Sequence, residues 1–232
     1  NDALRKSLGR LSSGNRINNP ADDAGGLAVA YKLNSKAGRT SAILQNSQNA
    51  LSYLQVQDSG LQTAGKIVDR MAELRVMSQD ITKNTQDIEN YSKEFIELQS
   101  QLNQVSKEKF NGISLFASST ATAAGTLKTG TASFSSASYN SFSRTLLTHD
   151  SGVSTSGSIN LNVVNFQFML SIHSTKSGGS SIDLGNINGS NTGTNISSTG
   201  FITDITEVNV SQFTNIIERI ADMRAENGAE QN

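Results

Sequence analysis

Residues 21–80, ADDAGGLAVAYKLNSKAGRTSAILQNSQNALSYLQVQDSGLQTAGKIVDRMAELRVMSQD, contain no proline and read as one continuous helix. At about 1.5 Å per residue such a helix is roughly 90 Å long, too long for a single small globule to bury. Apolar or small residues recur in steps of three and four: Ala30, Leu33, Ala37, Leu44, Ser47, Leu51, Leu54, Leu61, Ala64, Val68, Met71 and Leu74. This spacing is the seam of a helix lying along other helices, interrupted only by Gln57 and Asp58. The small members of the row predict close helix–helix approach in a tight bundle. Lys32, Lys36, Arg39, Lys66, Asp69 and Glu73 fall on the opposite face, which meets water or the neighbours of an assembly.

The flanking segments continue the pattern. Leu4, Leu8, Leu11 and Ile17 are spaced for a short amphipathic helix that ends near Gly14, and Asn18-Asn19-Pro20 forces a turn. Asp22 and Asp23 stand where carboxylates favour the positive end of the long helix, and helix capping is their plain reading. After a break at 80–85, Ile88, Tyr91, Phe95, Leu98, Leu102 and Val105 predict a second helix folded back antiparallel on the first. Phe110-Asn111-Gly112 is a turn signal. The helical period returns from 207 or 208 with Phe213, Ile216, Ile217, Ile220 and Met223.

Between these helical limbs the composition changes. Fifty of the 83 residues from 118 to 200 are Ser, Thr, Gly or Asn and five are charged, which sets this region apart as a β-rich, turn-rich insertion. Its best strand runs through Ile159, Leu161 and Val163. It then shifts phase to Phe166, Phe168, Leu170 and Ile172, as a bulge or bend at Val164-Asn165 would require. Residues 177–200 also fit a disordered linker. The expected fold is therefore mainly α with a β-rich insertion (α+β): an elongated, rod-like antiparallel helical bundle plus a small variable β domain. The rod is assembled from 1–117 and 205–232, with 118–204 inserted between them.

Composition excludes several functions. A formal net charge of −1 gives no basic excess for a nucleic acid, and no apolar run is long enough for membrane insertion. The chain begins at Asn1 without methionine, which suggests trimmed ends. With no cysteine there is no disulfide framework or thiolate site. The two histidines, His149 and His173, have no histidine at i+4 and read as surface or structural groups. No HExxH, GxGxxG, GxSxG or P-loop occurs, and the pairs Asp22/Asp23 and Asp80/Asp87 lack further oxygen ligands. The reading is a non-enzyme without metal or cofactor.

One stretch is more specific. Arg10-Leu11-Ser12-Ser13-Gly14-Asn15-Arg16-Ile17-Asn18-Asn19-Pro20-Ala21-Asp22-Asp23-Ala24-Gly25-Gly26-Leu27-Ala28 closely resembles the N-terminal signature of bacterial flagellin. The resemblance continues through Gln48-Asn49-Ala50, Glu73-Leu74 and Phe110-Asn111-Gly112. It is weaker at Ile220, Met223-Arg224 and Asn227-Gly228-Ala229.

The resemblance implies a secreted, extracellular structural subunit of the flagellar filament, self-assembling with copies of itself for motility. The implied fragment lacks most of the terminal helices that form the inner tube. An export chaperone and the filament cap are the further partners implied. Arg10, Leu11, Ser13, Gly14, Arg16, Ile17, Asn18, Asp22 and Asp23 form the assembly signature. Recognition by a toll-like innate immune receptor is also implied, carried over to Arg70, Leu74 and Glu94. Ala72 and Leu98 depart from the basic residues usual in that recognition surface, and a lost bidentate donor costs about 1–3 kcal/mol at a contact.

Other readings remain: a hook–filament junction protein, or a flagellin-like surface protein whose insertion binds polysaccharide through Phe134, Tyr139 and Phe142. A flagellin with an inserted protease is disfavoured by the missing HExxH.

Overall fold

The computed structural model describes residues 2–117, 126–127, 142–172, 182–187 and 195–232. Helices dominate, accompanied by three small sheets, so the α+β expectation holds. The first helix, α1, spans Asp2–Ser13, and the left-handed Gly14 (φ +68°) ends it. The long helix α2 spans Ala24–Met77, three residues inside each expected end. After a turn, α3 (Thr85–Val105) starts on a capping box: Asn84 accepts from the Asp87 N–H, and Asp87 accepts from the Asn84 N–H. The last helix, α5, spans Val210–Gln231.

Two strands, β1 (Lys109–Phe110) and β2 (Ile113–Ser114), pair around Asn111-Gly112. Both loop residues have positive φ (50° and 79°), the two-residue hairpin turn that Asn-Gly favours.

The chain divides into two compact units, residues 1–48 with 147–158 and residues 49–146 with 159–232. In the second, the distal part of α2, α3 and α5 form an antiparallel bundle. Leu61, Val68, Met71, Leu74, Phe95, Leu102, Phe213 and Ile216 are its fully buried centre. Phe95 and Phe213 meet edge to face, with ring centres 6.2 Å apart.

Gly60 is where α2 passes closest to the segment after the hairpin. A Cβ there would lie 2.8 Å from the Phe116 ring, which itself packs on Phe166 at 4.7 Å.

The β region packs on this bundle. Strands β3 (Thr126–Leu127), β4 (Phe142–Leu147) and β5 (Ser158–Val163) form one sheet in that order. The expected strand at 166–172 is corrected. Asn165 Oδ1 accepts from the Phe168 N–H (3.1 Å) and caps a helical turn, α4 (Phe166–Met169). Spacing i, i+3 buries Phe166 and Met169 together, which strand alternation would have separated. Only β6 (Ser171–Ile172) is extended, paired antiparallel with β7 (Ile182–Asp183).

Polar side chains tie these pieces to the helices. Gln99, fully buried on α3, donates to the Ile202 carbonyl and accepts from the Ile202 N–H, both at 2.9 Å. Asn103 donates to the carbonyls of Gly185 (3.0 Å) and Asn186 (3.2 Å). Arg219 on α5 donates to the carbonyls of Phe168 and Ser171, both at 2.9 Å.

Candidate functional site

In the first unit, the signature residues build the junction between α1 and α2. The two acids divide the work. Asp23 is the cap of α2: its Oδ1 accepts from the Gly26 N–H at 2.8 Å, and a Cβ on Gly26 would collide with the same carboxylate. Asp22 turns the other way. It accepts from Lys6, from Arg10 (3.5 Å) and from the Asn18 and Asn19 N–H groups (3.4 Å each). The Lys6 hydrogen bond, joined by those two backbone donors, outweighs desolvation and holds the Asp22 carboxyl below the ordinary aspartate range.

Asn18 Nδ2 donates to the Gly9 carbonyl (3.2 Å), and Asn15 N–H donates to Ser13 Oγ (3.3 Å). Arg16 pairs loosely with Asp23 at 3.7 Å. Ile17 is half-buried, whereas Leu11 is 82% exposed. Capping alone predicts the role of Asp23; the role of Asp22 needed the placement of α1.

This unit also leaves its apolar row uncovered. Leu4, Leu8, Val29, Tyr31, Leu33 and Leu44 are all more than half exposed, and Ala30 and Ala37 are exposed as well. The distal part of the same row in the second unit, from Leu54 to Leu74, is buried.

Gln57 and Asp58, which interrupt the row, carry the polar contacts between α2 and α5. Gln57 is fully buried; its Nε2 donates to the Leu115 carbonyl (2.8 Å) and its Oε1 accepts from Asn227 Nδ2 (2.8 Å). Asp58 accepts two hydrogen bonds from Arg224, at 2.8 and 3.2 Å, and that pairing raises the Arg224 pKa. The signal was in the sequence, since a buried glutamine inside an apolar seam requires a partner of its own kind.

The candidate receptor residues are partly brought together. Arg70 Nε donates to Glu94 Oε1 at 2.8 Å across α2 and α3, and Arg70 also pairs with Glu73 at 3.1 Å. These two carboxylates, Glu94 first, raise the arginine's pKa. Leu74, one turn further along α2, lies in the core with no exposed surface. Ala72 and Leu98 are half-buried against that core.

Of the other sequence candidates, His149 is exposed and contacts Ser151 (2.9 Å) and Asp150 (3.3 Å). Phe134, Tyr139 and His173 lie outside the described residues, and of Phe142 only the backbone is described. Among the described residues, no group of three or more His, Asp or Glu is arranged to hold a metal ion, and no helix is long and apolar enough to cross a membrane.

Comparison with known proteins agrees with the signature. Residues 1–121 match the family model described as the bacterial flagellin N-terminal helical region. A flagellin of Listeria monocytogenes is 36% identical over 127 residues, 54% of this chain and 44% of that protein. The flagellar filament 33 kDa core protein of Treponema phagedenis is 34% identical over 116 residues, 50% of this chain and 41% of the relative. The chain thus spans less than half the length of these curated relatives. Among solved structures, the crystal structure of Bacillus cereus flagellin shares the fold, with a TM-score of 0.52 at 18% identity over 81% of this chain and 83% of that one.

Proposed function

Given that the chain belongs to the bacterial flagellin family, we propose that it is a structural subunit of an extracellular flagellar filament, self-assembling with copies of itself and serving motility. The observation that carries this reading is the signature junction of the first unit, where Asp23 caps α2 and Asp22 ties the turn back to Lys6 and Arg10 of α1. Exposing Leu4, Leu8, Leu11, Tyr31, Leu33 and Leu44 on two helices is unfavourable in water and becomes favourable once neighbouring helices cover them. We read 1–117 and 205–232 as the limbs of the assembling helical domain and 118–204 as the variable insertion. Secretion, an export chaperone and the filament cap come with the family reading, and no catalytic role is assigned.

Recognition by a toll-like receptor belongs to the same proposal in a narrower form. The exposed Arg70–Glu94 pair is its contact surface, with Leu74 supporting α2 from beneath as a core residue. Arg70→Ala lowers receptor signalling on this reading; equal signalling by mutant and parent retires the surface.

The test of assembly is electron microscopy of the protein expressed from its full reading frame, after salt-induced polymerisation seeded with sheared filaments. Tubes of uniform diameter are expected. Persistent monomers under seeding would overturn the filament reading and favour a hook–filament junction protein.

A further inference from the structure

A row of cations lies on the face of α2 opposite its apolar row. Lys32, Lys36 and Arg39 occupy positions i, i+4 and i+7 of one helical face. With Tyr31 and Ser35 they line an open groove of about 460 Å³. Like charges four residues apart repel on a helix, so the row does not serve the helix itself. Within the unit one acid answers it: Asp150, whose Oδ2 sits 3.4 Å from Arg39 Nη2 and which Lys36 attracts from further off. Among the described residues no carboxylate forms a salt bridge with Lys32 or Lys36, and both are exposed.

The complementary surface is on α5. Glu218, Asp222 and Glu226 stand at i, i+4 and i+8 and are all exposed. Glu226 accepts from Asn162 Nδ2. At 1.5 Å per residue the cationic row is about 10 Å long and the acidic row about 12 Å. Beside the acids, Ala221 and Ala225 are exposed and small enough for a facing tyrosine to lie across them.

We propose that the cationic face of α2 (Lys32, Lys36, Arg39, with Tyr31) of one subunit docks on the acidic face of α5 (Glu218, Asp222, Glu226) of a second copy. The contact is head-to-tail, joining two different patches, so it propagates into an open polymer instead of closing into a dimer. This inference rests on the filament reading and adds to it the pair of surfaces that sets subunit register.

The experiment uses the protein from its full reading frame, with circular dichroism to check that each variant folds. K32E/K36E/R39E and E218K/D222K/E226K are polymerised separately, together as a mixture, and combined in one chain. Each alone is expected to raise the critical concentration about tenfold at low salt, since like charges then face each other. The mixture and the combined chain are expected to return within about threefold of the parent, because opposite charges again meet.

Lys36→Cys and Asp222→Cys chains, each carrying the only cysteine within residues 1–232, are also mixed and oxidised in the polymer. A Lys36→Cys to Asp222→Cys heterodimer is the expected product.

If the parent polymerises while the reversed variants polymerise equally well, or the combined chain is not restored, or no heterodimer forms, the docking is overturned and the filament reading stands. The docking is likewise overturned if the row's only measurable property is binding of free polyglutamate. If the parent itself forms no polymer, the filament reading fails and takes the docking with it.

Discussion

The two parts of α2 carry the same apolar period and live in different surroundings. From Leu54 onward the row is packed against α3 and α5, and Leu61, Ala64, Val68, Met71 and Leu74 have no exposed surface. Before it, Ala30, Leu33, Ala37 and Leu44 repeat the spacing in water. Helical periodicity therefore states where a partner is needed, not whether that partner lies within the same chain. In the second unit the partners are intramolecular. In the first they are helices other than those described, since α5 runs antiparallel along α2 from Arg75 to Gln57 and reaches little further.

The heaviest loss comes from the packed side. Phe95→Ala or Phe213→Ala removes one half of the aromatic contact and leaves a cavity, lowering stability by about 3–5 kcal/mol in urea denaturation. Leu33→Ala and Leu44→Ala, the same kind of truncation on the uncovered side, should change the free chain by no more than about 0.5 kcal/mol. Equal losses on the two sides would leave no distinction between the two parts of the helix.

Next comes close approach: Gly60→Ala pushes a methyl into the Phe116 ring and should cost about 1–3 kcal/mol by thermal or chemical melting. Gln57→Leu leaves Asn227 Nδ2 without its buried partner and the Leu115 carbonyl with only the Tyr53 hydroxyl (3.3 Å), also about 1–3 kcal/mol. A second change, Asn227→Leu, should then add less than it does alone, and a double-mutant cycle reads that coupling. Asp58→Asn, at a pair that is about one-third exposed, should cost less than about 1 kcal/mol.

A weaker effect belongs to the first unit. The folded Asp22 carboxyl titrates below its unfolded value of about 3.9. Its contribution is therefore complete above that value and is lost as pH falls through the folded pKa. Protection of the Asn18 and Asn19 amides, measured against their intrinsic exchange rate at each pH, should fall over that acid window in the parent, and Asp22→Asn should abolish this change in protection.

Much of this arrangement was legible from residues. The three long helices, the Asn111-Gly112 turn and the return of the helical period near 208 follow from spacing and capping chemistry, and they fall within a few residues of their expected bounds. The segment after Val163 was not legible. Alternation of Phe166, Phe168, Leu170 and Ile172 fits a strand, and only the Asn165 cap, a local competitor for the backbone, turns it into a helical turn.

The same limit applied to the sites. Spacing marked Gln57 and Asp58 as interruptions but not as the fixed points between α2 and α5. The family resemblance put Leu74 among the receptor residues, whereas its place in the apolar row already marked it for the core, where it lies. For Gln57 and Asp58 the missing information was which element lies across from them, and one chain's periodicity does not contain it.

Whether assembly covers the exposed face of α2 can be read by hydrogen–deuterium exchange of the α2 amides in free protein and in seeded polymer. Residues 24–48 should exchange fast in the free chain and become strongly protected in the polymer, while 49–77 stay slow in both. Slow exchange of 24–48 already in the free chain, or no gain of protection there on polymerisation, would show that assembly does not cover this face.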